Sequence, residues 1–128
     1  MNSAHAARIF AVLILAVVLF QCALVAGVPW GEFAWGGAYP GQLPVEMRVA
    51  SALSALLLLA LGAVVLTRAG ILLARWHLLS RKLIWGVVAY CAIGVVANAT
   101  TPSAWERMVW LPVTIALLVT SIVVATKR

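Results

Sequence analysis

Glutamates and arginines of this chain stand close to tryptophans, in short stretches that separate long apolar runs. Glu46 and Arg48 share one such stretch, and Glu106 and Arg107 share another. Carboxylates and guanidinium groups beside aromatic rings can hold a polar headgroup or a small ligand, and a carboxylate can also act as a general acid or base. The pattern predicts a candidate binding site with these members: Trp30, Glu32, Trp35, Glu46, Arg48, Asn98, Trp105, Glu106 and Arg107.

The same residues also have an ordinary structural explanation. Glu46 and Glu106 fall in the first turns of predicted helices, where the helix dipole favours a carboxylate. Ser103 and Glu106 have the spacing of a capping box, and tryptophans are typical of the aromatic belt at a membrane surface. A set of caps, ion pairs and anchors is therefore the favoured interpretation, a binding site is the alternative, and we assign no catalytic residue.

Four charge-free runs must position these residues. They cover residues 9–31, 49–67, 83–105 and 108–126, and each has 19 or 23 residues. About 20 helical residues span the ~30 Å of hydrocarbon in a bilayer. The pattern predicts an all-α polytopic membrane protein, a four-transmembrane-helix bundle that forms a single domain over residues 1–128. We expect its spans at about 6–27, 45–67, 83–98 and 104–126.

The basic residues are divided unequally between the two sides of this predicted membrane. Seven of them, Arg8, Arg68, Arg75, Arg81, Lys82, Lys127 and Arg128, fall on one side, whereas Arg48 and Arg107 fall on the other with all three glutamates. Because basic loops stay in the cytoplasm, both termini and the 68–82 link are predicted to be cytoplasmic. The net charge of +6 then reflects topology and contact with lipid headgroups, so we expect no nucleic-acid partner.

Two features between the charged stretches carry further expectations. The basic link of residues 68–82 contains Trp76, and it is expected to form a short helix at the membrane surface. Gly86, Tyr90, Gly94 and Asn98 recur every fourth residue and share one helix face. This face is predicted to be a close-packing seam, and a polar pathway is the less favoured alternative.

Several kinds of chemistry are not supported by the residue pattern. His5 and His77 are distant from each other, and so are Cys22 and Cys91. Such isolated ligands do not make a metal site, and the two cysteines are expected at different membrane depths, too far apart for a disulfide. We therefore expect neither metal nor cofactor.

One combination of residues resembles a known group of proteins. It consists of PWGxxxWGG at residues 29–37, LPxxxR at residues 43–48 and SxxER at residues 103–107. The chain thereby resembles an uncharacterised group of small four-helix bacterial inner-membrane proteins. The resemblance implies a multi-pass protein of the bacterial cytoplasmic membrane with both termini inside, and it implies no activity.

Three classes of function are consistent with these features. An accessory or scaffold protein that binds lipid or a protein partner needs no catalytic group, and it is favoured. Its expected partners are membrane lipids, with a larger membrane protein complex or a homo-oligomer as further candidates. The alternatives are a small transporter or pore formed by oligomerisation and an outer-leaflet lipid-modifying enzyme that uses Glu32, Glu46 or Glu106.

Overall fold

Four long helices account for most of the computed structural model, which describes residues 1–127. They are α1 (Ser3–Ala26), α2 (Val45–Arg68), α3 (His77–Thr100) and α4 (Ala104–Ala125). Loops and three short 3₁₀ turns make up the rest of the described chain, the turns being Gly31–Phe33, Trp35–Gly37 and Ala74–Trp76. The all-α fold predicted from the sequence is confirmed.

All four helices are long and apolar enough to cross a membrane. Their outward faces carry large apolar side chains, and Leu78, Ile93 and Met108 are each at least two thirds exposed, at 76%, 69% and 67%. Soluble proteins rarely expose apolar surface on this scale. The architecture is therefore that of a multi-pass membrane protein built as a four-helix bundle.

The helices form a ring in chain order. Helix α1 packs against α2 and α4, and α3 packs against the same two helices, while α2 and α3 pack least closely of the four neighbouring pairs. The bundle thus has two ends, each made of chain segments that are distant in sequence. We call them the loop end (residues 27–44 and 101–103) and the terminal end (residues 1–2, 69–76 and 126–127).

Local chemistry explains where the helices begin and end. The side chain of Asn2 caps α1 by accepting a hydrogen bond from the backbone N–H of His5, at 2.8 Å. Gly27 ends that helix with a φ of +97°, a left-handed conformation that glycine adopts without steric cost. Pro44 precedes α2, where its missing N–H removes no helical hydrogen bond, and Ser103 caps α4.

The link between α2 and α3 differs from the expectation. Residues 68–82 do not form a separate surface helix, because the 3₁₀ turn Ala74–Trp76 leads directly into α3, which begins at His77. No glycine or proline occurs between residues 74 and 85, so nothing in this stretch stops the helix. Helix α3 is therefore longer at its start than the predicted span of 83–98.

Apolar side chains from all four helices meet along the bundle axis. The main cluster includes Phe10, Ile14, Val65, Ile84 and Val124, which are almost completely buried. A second, smaller cluster joins Leu24 of α1 to Ala34 and Leu43 of the loop end. The loop after α1 is therefore packed onto the bundle, and its position relative to the helices is defined.

Candidate functional site

A cavity of about 250 Å³, partly open to the surroundings, lies between the helices in the half next to the loop end. All four helices and the loop after α1 contribute to it. Its lining includes these residues: Ile14, Val17, Phe20, Gln21, Phe33, Ala34, Trp35, Ser54, Leu58, Leu61, Tyr90, Cys91, Gly94, Asn98, Glu106, Trp110, Thr114 and Leu117. A concave, mostly apolar space with a few polar groups is the usual form of a small-molecule site.

The two ends of the cavity differ in polarity. Ile14, Leu58, Leu61 and Leu117 form an apolar floor near the middle of the bundle. Glu106 lies at the opposite end, about 16 Å from Leu117 along α4 at 1.5 Å per residue. The cavity thus has an apolar floor and a polar, aromatic end. We call the polar end, at Glu106, the mouth.

The loop end forms a roof over the mouth, and long-range hydrogen bonds hold it there. The indole N–H of Trp110 donates to the carbonyl oxygen of Phe33 at 2.8 Å, and that of Trp35 donates to the hydroxyl of Ser51 at 3.1 Å. The Ser103 hydroxyl donates to the carbonyl oxygen of Glu32 at 2.6 Å. Both loops and two helices are therefore joined at this point.

Glu106 is the charged residue of the cavity wall. It is only 8% exposed, and its Oε2 accepts a hydrogen bond from the backbone N–H of Gly36 at 3.1 Å. The Ser103 hydroxyl accepts from the N–H of Glu106, as predicted for a capping box, but the Glu106 carboxylate points to the roof and not back to Ser103. The expected cap is therefore only half formed, because the folded loop supplies a competing donor.

Uncharged polar groups complete the lining. The Oε1 atom of Gln21 is buried without a hydrogen-bond partner among residues 1–127. Asn98 donates from its side-chain amide to the carbonyl of Gly94 at 2.8 Å, and Thr114 donates to the carbonyl of Leu111 at 3.0 Å. A buried acceptor without a donor is costly, so the Gln21 oxygen is a natural contact for a bound molecule.

The two arginines of the candidate site lie outside the cavity lining. Arg48 donates from Nε to the carbonyl oxygen of Val25 at 2.9 Å. Arg107 donates to the carbonyl oxygen of Thr101 at 2.8 Å. Both guanidinium groups therefore tie helix ends to neighbouring backbone, a positioning role rather than contact with a ligand in the cavity.

The remaining predicted site residues lie outside the cavity lining, in the loop end or in the first turns of α2 and α4. Glu32 and Glu46 are exposed. Trp30 stacks on Phe20 at a centroid distance of 6.2 Å, and Trp105 lies against Phe33 at 5.9 Å, with about half of each indole exposed. Of the nine residues predicted from the sequence, the cavity brings together Trp35, Asn98 and Glu106.

The predicted seam on α3 is only partly a contact face. Gly86 is exposed, and a Cβ built on it meets nothing within 4 Å. Tyr90, Gly94 and Asn98 line the cavity, and a Cβ on Gly94 lies 3.7 Å from the Thr114 side chain. The four-residue repeat therefore indicated a cavity-lining face, which our preferred packing interpretation missed.

Metal and disulfide chemistry are not supported by the described residues. No three His, Cys, Asp or Glu side chains in residues 1–127 lie close enough to hold a metal ion. Cys22 and Cys91 are both free thiols, one exposed and one buried. The cavity offers shape, apolar contact and the carboxylate of Glu106.

In comparisons with known proteins, no family model, no curated protein and no solved structure matches this chain.

Proposed function

We propose that this protein is a small lipid-binding membrane protein of the accessory type, which holds an amphipathic molecule inside its own helix bundle. The cavity under the loop end carries this proposal, because its apolar floor and polar mouth match the two parts of such a molecule. Its volume of about 250 Å³ is slightly below the ~300–1,000 Å³ of typical ligand sites. The occupant is therefore a single-chain amphiphile rather than a whole phospholipid.

The proposed location is the bacterial cytoplasmic membrane, with both termini inside and the loop end facing out. The unequal division of the basic residues supports this orientation. Cysteine labelling tests it in a variant whose own Cys22 and Cys91 are replaced by alanine. Ala38→Cys at the loop end is expected to react with an impermeant maleimide in intact cells, and Arg75→Cys only after lysis. The opposite pattern would reverse the orientation.

Native mass spectrometry tests the binding proposal. The protein is released from its own membranes in a mild neutral detergent, and the mass of each retained small molecule is measured. Wild-type protein is expected to retain one lipid-like molecule per chain. Gly94→Leu is expected to lose it, because the new side chain grows from the cavity wall.

Gly86→Leu is the matched control, since it makes the same change on the same helix at an open, exposed position. Ser54→Leu fills the cavity from α2 and provides a second test if Gly94→Leu does not fold. Retention that is equal in all variants, or absent from wild type, would overturn the proposal. A stoichiometric protein partner without a small molecule would make the chain a subunit of a larger complex.

A small transporter is the second candidate function, and the burial of Glu106 favours it. Ionisable groups inside a helix bundle commonly mark a transport pathway, and Glu106 is buried at the cavity mouth. Proteoliposomes with wild-type protein would then release a trapped amphiphile faster than those with Glu106→Gln. Equal release rates would remove this candidate and leave binding alone.

A further inference from the structure

One acidic side chain and no basic one line the cavity in the described part of the chain. Glu106 lines the mouth, while no lysine, arginine or histidine of the described chain is part of the lining. Arg48 and Arg107, in the first turns of α2 and α4 beside the loop end, bind backbone carbonyls outside the lining. A ligand in this cavity therefore meets a carboxylate with no neighbouring cation in the wall.

Hydrogen bonds within the protein already use several donors around the mouth. The indole N–H groups of Trp35 and Trp110 bind Ser51 and Phe33, and the amide of Asn98 binds the carbonyl of Gly94. Acceptors remain available, because Glu106 uses only its Oε2 in hydrogen bonds within residues 1–127. The buried Oε1 of Gln21 is a second one. The amides of Gln21 and Asn98 and the hydroxyl of Tyr90 can still donate, so it is the carboxylate of Glu106 that favours a ligand group that donates hydrogen bonds.

Aromatic rings surround the same place. Phe20, Phe33, Trp35 and Trp110 all line the cavity, and the rings of Phe20 and Trp110 lie 4.8 Å apart. The negative faces of aromatic rings attract cations, and the attraction grows when water is excluded. A positively charged group at the mouth thus has favourable contacts with both the carboxylate and the rings.

We infer that the cavity selects a cationic amphiphile, with its ammonium group at Glu106 and its apolar chain on the floor formed by Ile14, Leu58 and Leu117. This inference rests on the proposed binding function and adds the charge of the ligand to it. An anionic headgroup is disfavoured at the same place, because it brings like charge next to a buried carboxylate.

Three probes with the same dodecyl chain test the inference: dodecylamine, dodecanol and dodecanoate. Dodecylamine is protonated at pH 7, as a lysine side chain is. Each is titrated into the full-length protein in a neutral detergent, and occupancy is counted by native mass spectrometry. We expect dodecylamine to bind about tenfold more tightly than dodecanol, as one charge-assisted hydrogen bond implies, and dodecanoate to bind most weakly.

Glu106→Gln is the diagnostic variant, because it removes the charge and keeps an oxygen for the N–H of Gly36. It is expected to reduce dodecylamine binding to the level of dodecanol. Glu32→Gln, at an exposed carboxylate outside the cavity lining, is the matched control. It is expected to leave the binding of both dodecylamine and dodecanol unchanged. The wild-type order of the three probes needs no variant, so the test does not depend on the folding of Glu106→Gln.

The outcomes separate this inference from the proposed function. If wild type binds dodecanol and dodecylamine equally, and Gly94→Leu abolishes both, the cavity binds amphiphiles without selecting cations and only this inference fails. If none of the three probes binds, the proposed function fails as well. A preference for dodecylamine that survives Glu106→Gln would place the cation elsewhere and overturn the inference.

Discussion

The loop end and the terminal end are held together in different ways. At the loop end, hydrogen bonds join residues far apart in sequence: Gly36 to Glu106 across 70 positions and Trp110 to Phe33 across 77. Near the terminal end, one hydrogen bond also spans the sequence, from Nη2 of Arg68 to the carbonyl oxygen of Lys127 at 2.6 Å. The other side-chain hydrogen bonds of the described residues there stay within one helical turn, as from Thr67 to Ala63. Polar contacts shape the first end, whereas apolar packing dominates the second.

This difference explains where the cavity lies. A roof that is fixed by polar contacts can cover an empty space, because its position does not depend on filling the space beneath it. Near the terminal end, Phe10, Val65, Ile84 and Val124 fill the interior and are completely buried. The empty volume beside them is a groove of about 170 Å³ between α2 and α3, lined largely by apolar side chains. The comparison predicts that substitutions of polar and loop residues have larger effects at the loop end.

Gly31→Ala, at the loop end, is expected to destabilise the protein most. A Cβ on Gly31 would lie 1.8 Å from the carbonyl oxygen of Tyr39 and 2.7 Å from that of Gly41, so the backbone of the loop must open. We expect a loss of about 3 kcal/mol in the free energy of unfolding, the upper end of the usual range for one substitution. Denaturant unfolding in detergent, followed by tryptophan fluorescence, measures it.

Gly41→Ala is the control for this experiment. Its φ of +80° disfavours alanine, but no atom lies within 4 Å of the new Cβ. We expect a cost of about 1 kcal/mol from the backbone conformation alone. Equal losses for both variants would show that the close approach of Tyr39 does not determine the stability of the roof.

Glu106→Ala is expected to have the next largest effect. It leaves the N–H of Gly36 without its acceptor and removes the carboxylate from the first turn of α4. A hydrogen bond to a charged group contributes about 1.5–3 kcal/mol, so we expect a loss of about 2 kcal/mol. Hydrogen exchange of the loop amides is expected to rise in parallel, most clearly at Gly36. Glu32→Ala, which changes an exposed carboxylate, is expected to leave both quantities unchanged.

Part of this site could be predicted from the sequence. The charge-free runs indicated four apolar helices. Trp35, Asn98 and Glu106 were predicted together because each lies at the same end of a predicted helix or loop. Composition and spacing are enough for that, since they determine which end of the bundle a residue reaches.

The cavity itself could not be predicted. The burial of Glu106 depends on the path of residues 31–37, and no helical period describes an irregular loop. Whether Tyr90 and Gly94 meet a neighbour or an empty space depends on how closely α3 approaches the helices beside it, which is a property of the whole bundle. Gln21 was recognisable as a polar residue within an apolar run, but its surroundings are set by other helices.

Trp110→Phe tests one hydrogen bond of the roof. The smaller phenyl ring keeps an aromatic side chain beside Phe20, but the 2.8 Å hydrogen bond to the carbonyl of Phe33 is lost. We expect a loss of about 1 kcal/mol in the free energy of unfolding, the usual contribution of a neutral hydrogen bond. Trp105→Phe is the matched change at a more exposed indole and is expected to cost less. The same loss from both would indicate that ring size, and not the hydrogen bond, is what matters.

Thr67→Val is expected to have the smallest effect, and it tests the other half of the comparison. Thr67 is nearly buried in the last part of α2, and its hydroxyl donates at 2.7 Å to the carbonyl of Ala63, one turn earlier in the same helix. Valine has nearly the same shape, and a carbonyl has two lone pairs, so that of Ala63 can keep a backbone partner. Thr67 also lines the largely apolar groove between α2 and α3, where an apolar side chain is tolerated. We therefore expect a change below about 0.5 kcal/mol in the same unfolding measurement.

A loss as large as that of Trp110→Phe would mean that polar contacts stabilise both ends. The contrast between a hydrogen-bonded loop end and an apolar, packed terminal end would then no longer explain the position of the cavity.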